Sequence, residues 1–297
     1  MRRTLLVAGA ALPLVFPAIA RAQTPNVING HVIAQPAASG LPLALRSIAR
    51  SQTEPVWVGY TSPARPGDHS MCCGENGYWG SCGLEPRGGT TIVEGTRSSG
   101  GGTAKLEGDQ SLMILVRVED KAVQKIRMFS PDCQLDAGGR SIYWLGEVKG
   151  PESVAFLSSF LSDASPGAAR NDRLSNSALA AIAMHGDPSA VPALIKFARQ
   201  DPSSKVRGEA LFWLAQRAGE KAAGEITAAI EQDPDTDVKR RAVFALSQLP
   251  KDEGVPLLIQ TARTNKNPVV RKQAMFWLGQ SRDPRALAFF EEILGKH

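Results

Sequence analysis

The sequence predicts a mainly α chain: an α-solenoid of helical pairs preceded by a small, disulfide-containing antiparallel β domain. Three observations predict it. An eleven-residue block recurs on a fixed spacing through the second half, all four cysteines fall in the first half, and short runs of β-branched and aromatic residues precede the repeats.

The repeat is found by spacing. The block Val206-Arg207-Gly208-Glu209-Ala210-Leu211-Phe212-Trp213-Leu214-Ala215-Gln216 returns from Val238 to Gln248 and again from Val270 to Gln280, each time 32 residues later. A more divergent copy surrounds Ala178. A second pattern keeps the same offset through Val191-Pro192-Ala193-Leu194, Ala223-Gly224-Glu225-Ile226 and Val255-Pro256-Leu257-Leu258, and continues at Leu287. Each period therefore holds two amphipathic helices. The turns carry Asp201-Pro202, Asp233-Pro234 and Asn267-Pro268, where an acidic or amide side chain caps the next helix and proline suits its first turn. Upstream, Tyr143-Trp144-Leu145-Gly146 echoes Phe276-Trp277-Leu278-Gly279, which predicts a degenerate half-repeat ahead of about four pairs and a closing helix.

The Val-Arg/Lys-x-x-Ala-x-Phe-x-Leu-x-Gln blocks and the Asp-Pro turns resemble the HEAT family, and more closely its phycobilisome-lyase-like branch, over residues 151–297. The resemblance implies a right-handed α-solenoid of HEAT-like helical pairs, with an Asp/Arg ladder between repeats and the second helix of each pair on the concave side. It also implies a bilin lyase, an activity for which the repeats offer little: they contain no cysteine, and their only histidines are His185 and His297.

Helical geometry at 100° per residue separates the faces. Val206, Ala210, Trp213 and Leu214 form the seam toward the partner helix. Arg207, recurring as Lys239 and Arg271, sits beside it and is placed to join the ladder with Asp201, Asp233 and Asn265; a basic ligand-binding stripe is the other reading. A separate ridge holds Glu209, Phe212 and Gln216, then Arg241, Phe244 and Gln248, then Gln273, Phe276 and Gln280. These nine are the candidate partner-binding residues. Each Phe either packs under the next repeat or protrudes as an anchor.

The first 22 residues read as a signal peptide: Arg2 and Arg3, an apolar stretch from Leu5 to Ile19, and Ala20-Arg21-Ala22 as a cleavage site. The mature chain is expected to be periplasmic or secreted. No later segment is apolar for long enough to insert in a membrane. The formal charge of +5 loses three with Arg2, Arg3 and Arg21, and the remaining +2 makes no electrostatic case for nucleic acid.

The expected organisation is a loosely structured lead-in over 23–52 with one helix around Leu41 to Arg50, a β-rich domain over 53–138, and repeats over 139–297. Val56 to Tyr60 reads as a strand, Ser111 to Val118 and Val123 to Phe129 as a hairpin, and Thr91 to Gly95 as a further strand. An oxidising compartment lets Cys72, Cys73, Cys82 and Cys133 pair. A bond between the adjacent Cys72 and Cys73 is strained. Two connectivities remain: Cys72–Cys82 with Cys73–Cys133, or Cys73–Cys82 with Cys72–Cys133. Either would tie the Gly-rich loop to the edge of the repeats.

Candidate chemistry is sparse. His69, Cys72, Cys73 and Cys82 could supply four ligands to zinc or a redox site, but without the Cys-x-x-Cys spacing. There is no phosphate loop, nucleophile elbow or His-Glu-x-x-His pair. The expectation is therefore a non-enzymatic scaffold with no cofactor, binding a protein or peptide through the repeat surface. The alternative is a metal- or redox-dependent protein using the His69/Cys72/Cys73/Cys82 cluster.

Overall fold

The computed structural model describes residues 24–66, 71–75, 78–79, 82–85, 111–162, 172–218 and 220–295. The leader, His69 and the strand expected from Thr91 to Gly95 lie outside these residues.

Among the described residues, ten strands and one helix precede the repeats. They are β1 (Asn26–Ile28), β2 (His31–Ala34), α1 (Leu41–Ser51), β3 (Val56–Pro63), β4 (Gly74–Glu75), β5 (Tyr78–Trp79), β6 (Cys82–Gly83), β7 (Ser111–Glu119), β8 (Ala122–Phe129), β9 (Gln134–Asp136) and β10 (Ser141–Glu147). The principal sheet runs β2-β10-β3-β7-β8, and a smaller one runs β1-β9-β6.

The sheet is mixed, which corrects the antiparallel expectation. β10 lies parallel to both β2 and β3, while β3–β7 and β7–β8 are antiparallel. The reason is in β10 itself. Ser141 to Glu147 was expected to open the repeats, yet Ile142, Trp144 and Leu145 are all buried and the strand sits between two others. An echo of Phe-Trp-Leu-Gly is not helical periodicity, and Gly146 at φ +82° does not continue a helix. The repeats therefore begin at Gly150.

Both faces of β3 and β7 are covered, so these strands read as continuous apolar runs and not as clean alternation. Val56, Val58, Tyr60, Leu112, Ile114 and Val116 join the helical core, whereas Trp57, Met113, Leu115, Ile142 and Trp144 belong to a second core. At Gly59 the backbone closes onto an indole: a Cβ there would lie 2.9 Å from the Trp144 ring. Glu85 closes the second core by accepting bonds from Trp57 Nε1 at 2.8 Å and Arg117 Nε at 2.9 Å. Burial opposes its ionisation, but these bonds outweigh burial and hold its carboxyl below the usual carboxylate range.

The segment 23–52, expected as a loose lead-in, is structured. β1 pairs with β9, β2 pairs with β10, and α1 buries Leu41, Leu45, Ile48 and Ala49. Its polar and proline-rich composition hid two short strands whose pairing partners lie a hundred residues away.

The repeats are four pairs and a closing helix: α2 (Gly150–Ser162) with α3 (Asp172–Met184), α4 (Ala190–Gln200) with α5 (Ser204–Ala218), α6 (Glu220–Gln232) with α7 (Thr236–Ser247), α8 (Lys251–Thr264) with α9 (Pro268–Ser281), then α10 (Pro284–Leu294). The 32-residue offset is structural. Asp201, Asp233 and Asn265 each accept, through Oδ1, the backbone N–H two residues on, at 2.9, 2.9 and 3.0 Å. These are turn bonds. The caps of α7, α9 and α10 are Asp235, Asn267 and Asp283.

Sheet and repeats are joined by backbone and by a buried polar chain. Gly186 N donates to Pro63 O at 2.8 Å and Arg65 N to Met184 O at 2.9 Å. Tyr60 Oη lies 2.9 Å from Ser153 Oγ, which lies 2.7 Å from His185 Nε2; His185 Nδ1 is 2.7 Å from Ala181 O. A carbonyl only accepts, so Nδ1 carries the proton, Ser153 donates to Nε2, and Tyr60 donates to Ser153. Burial is the main force holding the imidazole neutral, with Arg217 adding to it.

Candidate functional site

Helices α3, α5, α7 and α9 pack closely side by side, whereas α4, α6, α8 and α10 touch one another much less. In a curved stack the closely spaced layer is the inner one. The ridge residues lie on that layer.

Their rings meet across repeats. Phe212 and Phe244 stack with centroids 5.7 Å apart and planes 2° apart. Phe244 continues to Trp277 at 4.9 Å, and Trp277 meets Phe276 edge-on at 5.0 Å. Phe212 and Phe244 are half-buried by this packing, but Phe276 is 53 % exposed. One position of the repeat thus does both things considered for it: it packs where another repeat follows and protrudes on α9.

The polar ridge positions flank the rings. Arg241 Nη1 lies 3.7 Å from Glu209 Oε2, and its side chain crosses Gly208, where a Cβ would be 2.2 Å from Arg241 Cδ. Gln216 Nε2 reaches Gln248 Oε1 at 3.5 Å. Gln216, Gln248 and Gln280 are exposed, and Gln273 is half-buried. Such surface contacts hold little energy, so the amides are free to exchange partners.

Arg207 is a ladder residue. It grips Asp233 of the next repeat with two bonds, at 2.8 and 3.0 Å, and donates to Asp201 O at 2.9 Å. The equivalent Lys239 donates to Glu231 O, and Arg271 to Asn265 O and Lys266 O. Of these three rungs only that of Arg207 crosses to the next repeat through a carboxylate; at Lys239 the matching position holds Asn265.

Two arginines with no repeat signature close the end of the inner layer nearest the sheet. Arg217 donates to the carbonyls of Ala183 and His185 at the end of α3, and Arg65 donates to Gln216 O at 2.8 Å near the end of α5. A guanidinium there complements the helix C-terminus. Burial lowers the pKa of both, and Arg65 lowers that of Arg217 further.

The cysteines pair as Cys72–Cys133 and Cys73–Cys82, with Cα separations of 5.2 and 5.1 Å. Cys82 and Cys133 are buried in the second core. The disulfides hold the loop against the sheet, and not against the repeats as expected. Cys72, Asp132 and Cys133 bring ligand atoms within 4.8 Å of one another, but the two sulfurs are bonded to each other and offer no thiolate to a metal. The alternative cluster meets the same obstacle at Cys72, Cys73 and Cys82.

A packed row of helical pairs with a ring ladder on its inner side defines an α-solenoid repeat protein. Residues 223–297 match the HEAT repeats family. The chain thus carries HEAT repeats over at least these residues. Among solved structures, human deoxyhypusine hydroxylase in complex with glycerol is 22% identical with a TM-score of 0.35, and the match covers 43% of each chain. The complex of CpcE and CpcF of phycocyanin lyase from Nostoc sp. PCC7120 is 17% identical with a TM-score of 0.36, over 48% of this chain and 89% of that one. The chain thus spans less than half of the hydroxylase, and neither likeness bears on activity. No curated protein matches by sequence. Among the described residues no helix is long and apolar enough to cross a membrane.

Proposed function

We propose that the protein is an exported, non-enzymatic scaffold that holds a protein or peptide partner on the inner face of its HEAT repeats, in the periplasm or outside the cell. The observation that carries this reading is the exposed Phe276 ring at the end of the Phe212–Phe244–Trp277 row, beside the exposed amides of Gln216, Gln248 and Gln280. A rigid aromatic with half its surface in water, backed by a packed row, is the kind of residue that anchors a partner. Export is supported by the leader-like first 22 residues and by paired cysteines, which suit an oxidising compartment.

The test is site-specific photocrosslinking in the cell of origin, with benzoylphenylalanine at position 276 or, as control, at the exposed Leu43 of α1. A discrete adduct from 276 that is missing from 43 is expected. No adduct from 276, in cells where the protein reaches the envelope, overturns the reading.

A further inference from the structure

The exposed charges of the two helical layers differ. On α3, α5, α7 and α9 the exposed ionisable side chains are Arg173, Lys205, Arg240, Arg241 and Lys272 against the exposed Asp237, with Asp172 and Glu209 half-covered beside Lys205 and Arg241. On α4, α6, α8 and α10 the exposed cations Lys196, Arg199, Lys221, Lys251, Arg263 and Arg285 are matched by the exposed Glu231, Asp252, Glu291 and Glu292 together with the half-covered Glu225 and Glu253. The outer layer is balanced; the inner one is basic. On that same inner layer stand the ring of Phe276 and the amides of Gln216, Gln248 and Gln280.

We propose that the partner segment is an acidic peptide carrying an aromatic or aliphatic anchor, laid across α5, α7 and α9. This rests on the scaffold reading and names the chemistry of its partner. Arg241 is the pivotal cation. Its pairing with Glu209 is long, at 3.7 Å, and 46 % of its side chain is exposed, so a carboxylate of the partner can take its guanidinium at small cost. The glutamines each offer a donor and an acceptor, which suits the peptide groups of a bound chain. The anchor packs on Phe276 and Trp277. Single-stranded nucleic acid would also use the cations and stack its bases on an aromatic ring, so an oligonucleotide is the competitor in the test.

The experiment measures fluorescence anisotropy of three labelled synthetic fifteen-residue peptides with the full mature chain: one of Glu and Ser with a central Phe, one with that Phe replaced by Ser, and one with every Glu replaced by Lys. The first is expected to bind about tenfold or more tighter than either of the others and to weaken with added salt. Arg241→Glu and Phe276→Ser, both at exposed side chains, are expected to weaken it about fivefold or more with unchanged thermal melts. Equal binding of the lysine peptide, indifference to Arg241→Glu, no binding by any peptide, or displacement by an oligonucleotide more effectively than by the unlabelled peptide overturns the acidic-peptide proposal. The crosslinked segment recovered from position 276 separates the two failures. A non-acidic segment there removes this inference and leaves the scaffold reading standing, whereas no adduct removes both.

Discussion

Ser153 Oγ donates to His185 Nε2 across 2.7 Å, tying the first turn of α2 to the end of α3 inside the joint between sheet and repeats. Neither residue reaches solvent. The groups facing the imidazole are Tyr60 through Ser153, the guanidinium of Arg217, whose charge disfavours the imidazolium, and the carboxylate of Asp187, whose charge favours it.

The joint should therefore be acid-sensitive. Burial depresses the folded-state pKa of His185 below its ordinary value, so the unfolded chain takes up the proton first. The stability contributed is fully present above the unfolded histidine pKa and is lost as pH falls from there toward the folded value, by at most about 1.4 kcal/mol per pH unit. Urea unfolding between pH 7.5 and 5 should show the decline, and His185→Gln should flatten it. Identical slopes in both proteins would show that His185 does not carry the dependence.

Arg207 and Asp233 should be the strongest ion pair of the solenoid. Only 11 % and 7 % of their side chains are exposed, and the pair is bidentate. Asp233→Ala leaves the guanidinium without its carboxylate and should cost about 2–3 kcal/mol in chemical unfolding. The double change Lys239→Arg with Asn265→Asp rebuilds the missing rung at the next repeat and should add about 1 kcal/mol. A loss of stability in the double variant would mean that the two turns differ in geometry.

The disulfides should resist alkylation until the protein is reduced. Intact mass of the exported protein should show four protected cysteines and a leader removed near Ala22, and peptide mapping should join Cys72 to Cys133 and Cys73 to Cys82. Replacing Cys133 with Ser opens the longer loop and should cost roughly 2–5 kcal/mol. Free thiols or retained zinc in the native protein would instead restore the reading of His69, Cys72, Cys73 and Cys82 as a metal or redox site.

The ladder position of Arg207, the four pairs with their closing helix, and the ridge from Glu209 to Gln280 were all legible in the chain. A solenoid repeats its contacts at a fixed offset, so Val206, Val238 and Val270 announce one environment three times over. Ser141 to Glu147 was misleading for the converse reason: a few residues can imitate a repeat block without its neighbours.

What the sequence determined by itself was the local and periodic part: helices, turns and the faces they share. The tertiary structure alone decided that β10 is an interior strand, which cysteine pairs with which, that Gly186 and His185 dock onto β3, and that Phe276 is exposed where Phe212 and Phe244 are covered. Those outcomes depend on contacts between distant segments, as between Tyr60 and Ser153, which lie 93 residues apart. Local propensity carries no record of such a partner; only the closing of both cores brings it within reach.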